Sequence, residues 1–385
     1  MKTLKKILIF LIVLIAALLA GLYFGGYGYL FKAARIIYGS GHKTAFLSDY
    51  QKFDNRIIEK GTYVEPWTYT TDFERNTAPK SLEVLHKKYQ TVAFAIFRND
   101  SIFHEHYFEG YSEKSLSNSF SMAKSYVSAL LGKAVSDGYI KSLDQPVGDF
   151  FPEFSQGMAA SLTVGDLASM ASGLDWDESY YSPFSVTTQA YFDADLRSVI
   201  LKTKVTEQPG KSYKYLSGNT QLLGMVIEKA TGKTLAGYLS ESIWKPTGSE
   251  QDALWQLDSE EGGMEKAYCC IASNARDFAR LGKLYKDHGR WHGKQILDSA
   301  YVAKSVRPRF AESPEYGYGM WLLKHRGKPF FMMRGHLGQY VIVQPQDNIM
   351  IVRLGHLTAP QDEGIFSADI YSYIDESYKM LENAR

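Results

Sequence analysis

Between Lys6 and Lys32 the chain carries no charged side chain. As helix, residues 7–31 extend about 37 Å at about 1.5 Å per residue, enough to cross the roughly 30 Å apolar core of a bilayer. Lipid offers the backbone no hydrogen-bond partners, so a single segment of this kind can cross only as helix. Lys2, Lys5 and Lys6 precede the run, and Lys32 and Arg35 follow it. A cleaved signal peptide is the competing reading, but Leu18-Leu19-Ala20 is only a partial match to an Ala-x-Ala site. The expectation is therefore a cytoplasmic stretch over residues 1–6, an uncleaved anchor over 7–31, and the bulk of the chain outside the cytoplasm, in the periplasm if the source is bacterial. A chain starting near Gly41 is expected to keep its activity, since the anchor contributes nothing to a pocket.

The remainder has the composition of a globular protein, with 45% hydrophobic and 22% charged residues overall. A net charge of +1 gives no electrostatic basis for binding nucleic acid. Cys269 and Cys270 are adjacent, so they cannot close an ordinary loop, and they read as small buried apolar residues. No His-x-x-Glu-His or comparable ligand set occurs, and His104 and His106 read as structural or exposed residues on a strand. No metal or cofactor is expected.

Residues 32–79 show little periodicity and read as a membrane-proximal extension packed on the main domain. The β-rich runs 91–98 and 102–107 flank Asn99-Asp100-Ser101, a hairpin signal. Residues 143–307 mix helical runs (164–171, 220–230, 274–287) with turns and read as a mostly helical insert. Strand patterns return at 318–323, 329–334, 339–344 and 349–354, before an amphipathic helix over 367–381. The fold predicted is α+β: an antiparallel sheet closed by both ends of residues 80–385, flanked by helices, with a helical subdomain.

Three Ser-x-x-Lys strings occur. Ser40 to Lys43 lies in a polar stretch, and Ser242 to Lys245 runs into Pro246 and Gly248 at a helix end. Ser121 to Lys124 instead opens a helix with apolar residues at Met122, Tyr126, Val127, Leu130, Leu131 and Ala134. Positions i and i+3 share a face, so a desolvated Lys124 can take the proton of Ser121. The competing structural reading is a Ser121 cap with Lys124 reaching solvent. Tyr215 lies in a polar turn before an apolar helix, where a phenolate stabilised by nearby ammonium groups can accept and return a proton. In Gly335-His336-Leu337-Gly338-Gln339 the glycines allow close approach of substrate to backbone N–H groups.

In this order and spacing these pieces resemble the serine β-lactamase and penicillin-binding-protein superfamily, specifically its class C-like branch. Leu143-Asp144-Gln145-Pro146-Val147, Leu162-Thr163-Val164-Gly165-Asp166-Leu167, Ala171-Ser172-Gly173-Leu174 and Gln208-Pro209-Gly210 are similar to framework segments of that family. Tyr215-x-Ser217-x-Asn219 looks most like the group of 6-aminohexanoate-dimer hydrolases and esterase-type serine hydrolases. The resemblance covers roughly residues 80–385. It implies a Ser121 nucleophile, Lys124 and Tyr215 as its general base and acid, and an oxyanion hole from the backbone amides of Ser121 and Gln339. Ser217, Asn219, His336 and Gly338 are implied to contact substrate. Two departures bear on specificity. Ser217 stands where class C enzymes carry an asparagine amide, and His336, largely neutral near pH 7, stands where many β-lactamases carry lysine.

The function expected is a membrane-anchored serine hydrolase acting on a small-molecule ester or amide, with short-chain esters turned over faster than β-lactams. A D-Ala carboxypeptidase or β-lactamase is the alternative within hydrolases, and a catalytically silent binding protein of the same fold is the alternative outside them. The absence of Gly-x-Ser-x-Gly disfavours an α/β-hydrolase.

Overall fold

The computed structural model describes residues 2–42, 44–361 and 364–383. It begins with α1 (Lys2–Leu22), no residue of which is buried. Among the described residues, Lys2–Tyr27 is the one helix long and apolar enough to cross a membrane. The helical path breaks at Gly26, whose φ of 87° places it in the left-handed region that glycine enters without steric cost. The chain continues as α2 (Tyr29–Ser40), closed by Gly41 at φ 72°. Tyr29, Ala33 and Ile36 fall on one face of α2 and are buried against the folded body.

Thirteen strands follow among the described residues: β1 (Asn55–Ile58), β2 (Thr68–Tyr69), β3 (Thr91–Arg98), β4 (Ser101–Tyr107), β5 (Ser117–Asn118), β6 (Ala253–Gln256), β7 (Ile271–Ser273), β8 (Arg290–Trp291), β9 (Lys294–Gln295), β10 (Trp321–His325), β11 (Lys328–Gly335), β12 (Gln339–Gln344) and β13 (Ile349–Gly355). The main sheet has the order β10-β11-β12-β13-β3-β4-β2. Its pairs are antiparallel except β2 with β4. A smaller sheet, β1-β6-β7-β5, brings residues 55–58 beside β6, and β8 with β9 makes a two-stranded ribbon.

Alternation along the strands gives the main sheet two apolar faces. Phe94, Ile96, Tyr340, Ile342 and Ile351 pack with Leu82 of α3 (Lys80–Lys88) and with Ile370, Tyr373 and Ile374 of the last helix, Ala368–Asn383. Ala95, Phe97, Val341, Val343 and Val352 pack on the other side with Met122, with Tyr126 of α4 (Ala123–Ser136), and with Phe278 and Leu281 of the helix Ala275–Lys286. A sheet covered on both faces needs strands apolar throughout, which is why β12 and β13 read as continuous hydrophobic runs.

Residues 143–307, expected to be mostly helical, carry short strands beside their helices. They contain the short helices α5 (Val164–Ala168), α6 (Val186–Phe192) and α7 (Leu196–Leu201), the longer α8 (Ser217–Thr231), the short α9 (Leu235–Leu239), and also β6 to β9. The helix Ala275–Lys286 packs under the main sheet, where its buried face completes the core.

Candidate functional site

Ser121 is delivered by a tight turn between β5 and α4. Phe120 adopts φ 46°, an uncommon conformation for a residue with a side chain, and its N–H donates to Asn118 Oδ1 at 2.8 Å. Ser119 N–H donates to Ile271 O at 2.7 Å, fixing the turn to β7. On the other side a Cβ at Gly335 would stand 2.1 Å from Ser119 O, so only glycine lets the end of β11 lie this close to the turn.

One helical turn further on, Lys124 is buried at 3% exposure. Its Nζ donates to Ser121 Oγ at 3.0 Å and to Tyr268 O at 2.8 Å. Burial lowers its pKa to about 8, against an opposing pull from the Glu178 carboxylate. A substantial fraction is therefore an uncharged amine slightly above neutral pH, within hydrogen-bond reach of the serine.

Tyr215 lies in the extended segment leading into α8, with Lys124 Nζ 5.1 Å from its ring centroid. The ring packs on Trp321 at 5.0 Å and Tyr316 at 5.9 Å. Burial raises its pKa, and the interaction with Ser121 only partly offsets this. The direction is opposite to that expected for an ammonium-stabilised phenolate. Desolvation is the largest cause and the Glu178 carboxylate adds to it, so the hydroxyl favours its neutral phenol form.

Ser217 and His336 join Ser121 in the wall of one cavity of about 260 Å³. The Ser217 hydroxyl donates to Glu178 Oε1 and its backbone N–H to Oε2, both at 2.6 Å. Tyr180 also donates to Glu178, at 2.6 Å. Glu178 thus caps α8 and engages the Ser217 hydroxyl. The His336 ring lies between Phe120, edge-on at 5.6 Å, and Tyr180, stacked at 6.1 Å. Burial lowers its pKa, so it is neutral near pH 7.

The remaining predicted substrate contacts lie elsewhere. Asn219 is fully buried in α8 and donates to Met170 Sδ at 3.4 Å, outside the cavity wall. Gly338, at φ 82°, faces Arg353, whose Nη1 would stand 2.2 Å from an added Cβ. The Gln339 side chain donates to His336 O at 3.0 Å and Gly355 O at 2.7 Å, bracing the turn that carries the histidine. Of the other Ser-x-x-Lys strings, Lys43 lies outside the described residues, and Lys245 pairs with Glu59 at 2.8 Å rather than with Ser242.

Three features were not anticipated. Cys269 and Cys270 are bonded to each other, which corrects their reading as separate small apolar residues. Cys269 joins the cavity wall beside Tyr268, the residue whose carbonyl holds Lys124. Arg353 is fully buried and donates to Leu337 O at 2.9 Å and Gly338 O at 2.8 Å, fixing the His336 turn. Its signal was a charge inside the apolar run Ile349-Met350-Ile351-Val352-Arg353-Leu354. Finally, α2 forms part of the cavity wall through Leu30, Ala33, Ile36 and Ile37. Leu30, the one of these within the expected anchor over 7–31, departs from the expectation that the anchor contributes nothing to a pocket, whereas Ala33, Ile36 and Ile37 belong to the extension expected to pack on the main domain.

The family model described as Beta-lactamase matches residues 62–369. The chain belongs to the β-lactamase family. Homologues in this family are serine hydrolases. The 6-aminohexanoate-dimer hydrolase of Paenarthrobacter ureafaciens is 25% identical over 228 residues, 55% of this β-lactamase-family chain and 56% of that protein. A D-aminopeptidase of Gluconobacter oxydans is 26% identical over 197 residues, 45% of this chain and 37% of that protein. The chain thus spans about half or less of the length of these curated relatives. A solved structure assigned as a 6-aminohexanoate-dimer hydrolase from Bacillus anthracis superposes with a TM-score of 0.73 at 22% identity, covering 86% of this chain and 92% of that one. At that identity the likeness establishes the β-lactamase and transpeptidase-like fold.

Proposed function

We propose that the protein is a membrane-anchored serine hydrolase that cleaves an ester or amide through an acyl-enzyme on Ser121, with its catalytic portion outside the cytoplasm. The observation that carries this reading is the buried Lys124 amine, held between Ser121 Oγ and Tyr268 O with its pKa lowered to about 8. Neutral Lys124 takes the Ser121 proton as Oγ attacks the substrate carbonyl carbon. The backbone N–H groups of Ser121 and Gln339 receive the oxyanion. The tetrahedral intermediate collapses, the bond to the leaving group breaks, and Tyr215 donates a proton to it, with Lys124 returning a proton to the tyrosine. Water then adds to the acyl carbon by the reverse proton path and releases the acid and Ser121.

A β-lactam is a poor fit to this site. His336 supplies no permanent cation for a carboxylate, and the Ser217 hydroxyl is engaged by Glu178. The names of the relatives, amide hydrolases and aminopeptidases, support amides beside esters. The test is a panel of p-nitrophenyl esters, linear amide oligomers, D-amino-acid amides and a chromogenic cephalosporin, run on wild type and Ser121→Ala. The expected result is ester or amide turnover lost in the variant and a higher kcat/KM on that substrate than on the cephalosporin. Faster cephalosporin turnover would replace this reading by a β-lactamase, and unchanged turnover in Ser121→Ala would remove it.

A further inference from the structure

The cavity beside Ser121 is lined largely by apolar side chains, among them Ile36, Ile37, Phe46, Phe120 and Phe192. Several polar groups in its wall are already bonded within the protein. Asp49 accepts from Asn118 and from the Tyr191 hydroxyl, Thr187 donates to Asp177 O at 2.7 Å, and Thr188 donates to Ser182 O at 2.7 Å. Such a wall has little to offer a charged or strongly hydrogen-bonding group and favours a hydrocarbon.

One side of this cavity is α2, which starts two residues after the apolar span ending at Tyr27. Leu30 to Ile37 therefore lie within about 15 Å, along the helix, of the end of the span. The loop over the cavity reaches the same place. Tyr29 donates from its hydroxyl to Pro183 O at 2.9 Å, and the rings of Tyr27 and Phe184 meet edge to face at 5.8 Å. On that loop Tyr181 and Phe184 are exposed at 78% and 64%, and at the end of the span Tyr23 and Phe24 are exposed at 63% and 85%. Exposed aromatics grouped at the end of an apolar span match the belt that settles at a membrane interface. Tyr215, the proton donor to the leaving group, lies outside the cavity wall, against Tyr316 and Trp321. The cavity thus falls to the acyl part of the substrate and the Tyr215 side to the leaving group.

We propose that this cavity is an acyl-chain site filled from the bilayer interface, so that the substrate is an amphiphilic ester or amide whose acyl part is an extended apolar chain. The proposal rests on Ser121 as nucleophile and on the apolar span ending at Tyr27 as the anchor. It lengthens the acyl group beyond the short-chain esters that the motif pattern suggests.

The test uses the full chain reconstituted in phosphatidylcholine vesicles, with p-nitrophenyl acetate, butyrate and octanoate as the acyl series and ethyl to octyl acetates as the leaving-group series. Burial of each methylene is worth about fourfold, so octanoate should exceed acetate in kcat/KM by at least about tenfold, with no comparable rise along the alkyl acetates. Ala33→Trp and, independently, Leu30→Trp should lower the octanoate-to-acetate ratio by about tenfold, with labelling of Ser121 by a small fluorophosphonate reporting that each variant has folded. A flat or falling acyl series, a rise confined to the alkyl acetates, or an unchanged ratio in a folded variant would overturn the proposal. A wild-type chain that neither labels nor cleaves any ester would overturn the hydrolase reading, and this inference with it; labelling without an acyl-chain preference would overturn only this inference.

Discussion

Replacing Lys124 with methionine removes the proposed base and also a buried charge, and these losses act in opposite directions. Burial lowers the Lys124 pKa from 10.5 to about 8. At about 1.4 kcal/mol per unit, holding the ammonium in the folded protein costs about 3 kcal/mol at pH 7. Methionine fills a similar volume without that cost, but it leaves Tyr268 O without its donor, a loss of about 1–3 kcal/mol. Near pH 7 the variant should therefore be as stable as wild type or more stable, by up to about 2 kcal/mol, while turnover falls by at least about a hundredfold. The pH dependence follows from the depressed folded-state pKa. Between about pH 8 and 10.5 the unfolded chain binds more protons at this site than the folded one, so wild-type stability rises with pH through that window. Between pH 7 and pH 10 the balance should shift toward wild type by about 2–3 kcal/mol. Urea unfolding of both full chains in detergent micelles, followed by tryptophan fluorescence, measures the shift. A stability difference that stays constant from pH 7 to pH 10 would refute a depressed Lys124.

Tyr215→Phe should lower kcat by about a hundredfold or more with an unchanged circular dichroism spectrum, as for loss of a general acid; near wild-type turnover would assign all proton transfer to Lys124. Because the base must be neutral, wild-type kcat/KM should fall as pH drops through about 8. The Glu178 carboxylate raises the Lys124 pKa, so Glu178→Gln should move that midpoint to lower pH; a shift to higher pH would contradict the electrostatic assignment. Arg353→Met strips donors from the buried Leu337 and Gly338 carbonyls and should cost about 3 kcal/mol or more, read as a lower unfolding midpoint.

What was legible in the sequence depended on where each residue's partners lie. β3 spans 91–98 and β12 spans 339–344, as the apolar runs indicated, because burial on both faces is written directly in side-chain type. Ser121 and Lys124 were legible because their contact is local, within one helical turn. Glu178 was not. In Asp175-Trp176-Asp177-Glu178-Ser179 it reads as a surface acid, and its role comes from Ser217, 39 residues away. The spacing of Tyr29, Ala33 and Ile36 holds the signal for a packed helix face, but the uninterrupted apolar run before it hid the break at Gly26. Tyr215 stands out as a candidate by its motif, whereas the direction of its pKa shift depends on how deeply the ring is buried.

The proposed acyl-enzyme requires Ser121, activated by Lys124, to be the nucleophile. Peptide mapping by mass spectrometry after fluorophosphonate treatment tests it most directly, with wild type and Lys124→Met compared at pH 8. Wild type should carry a single stoichiometric adduct on Ser121, formed at least about a hundredfold more slowly in the variant. An adduct on Ser40 or Ser242, or equal labelling rates in the two proteins, would contradict it.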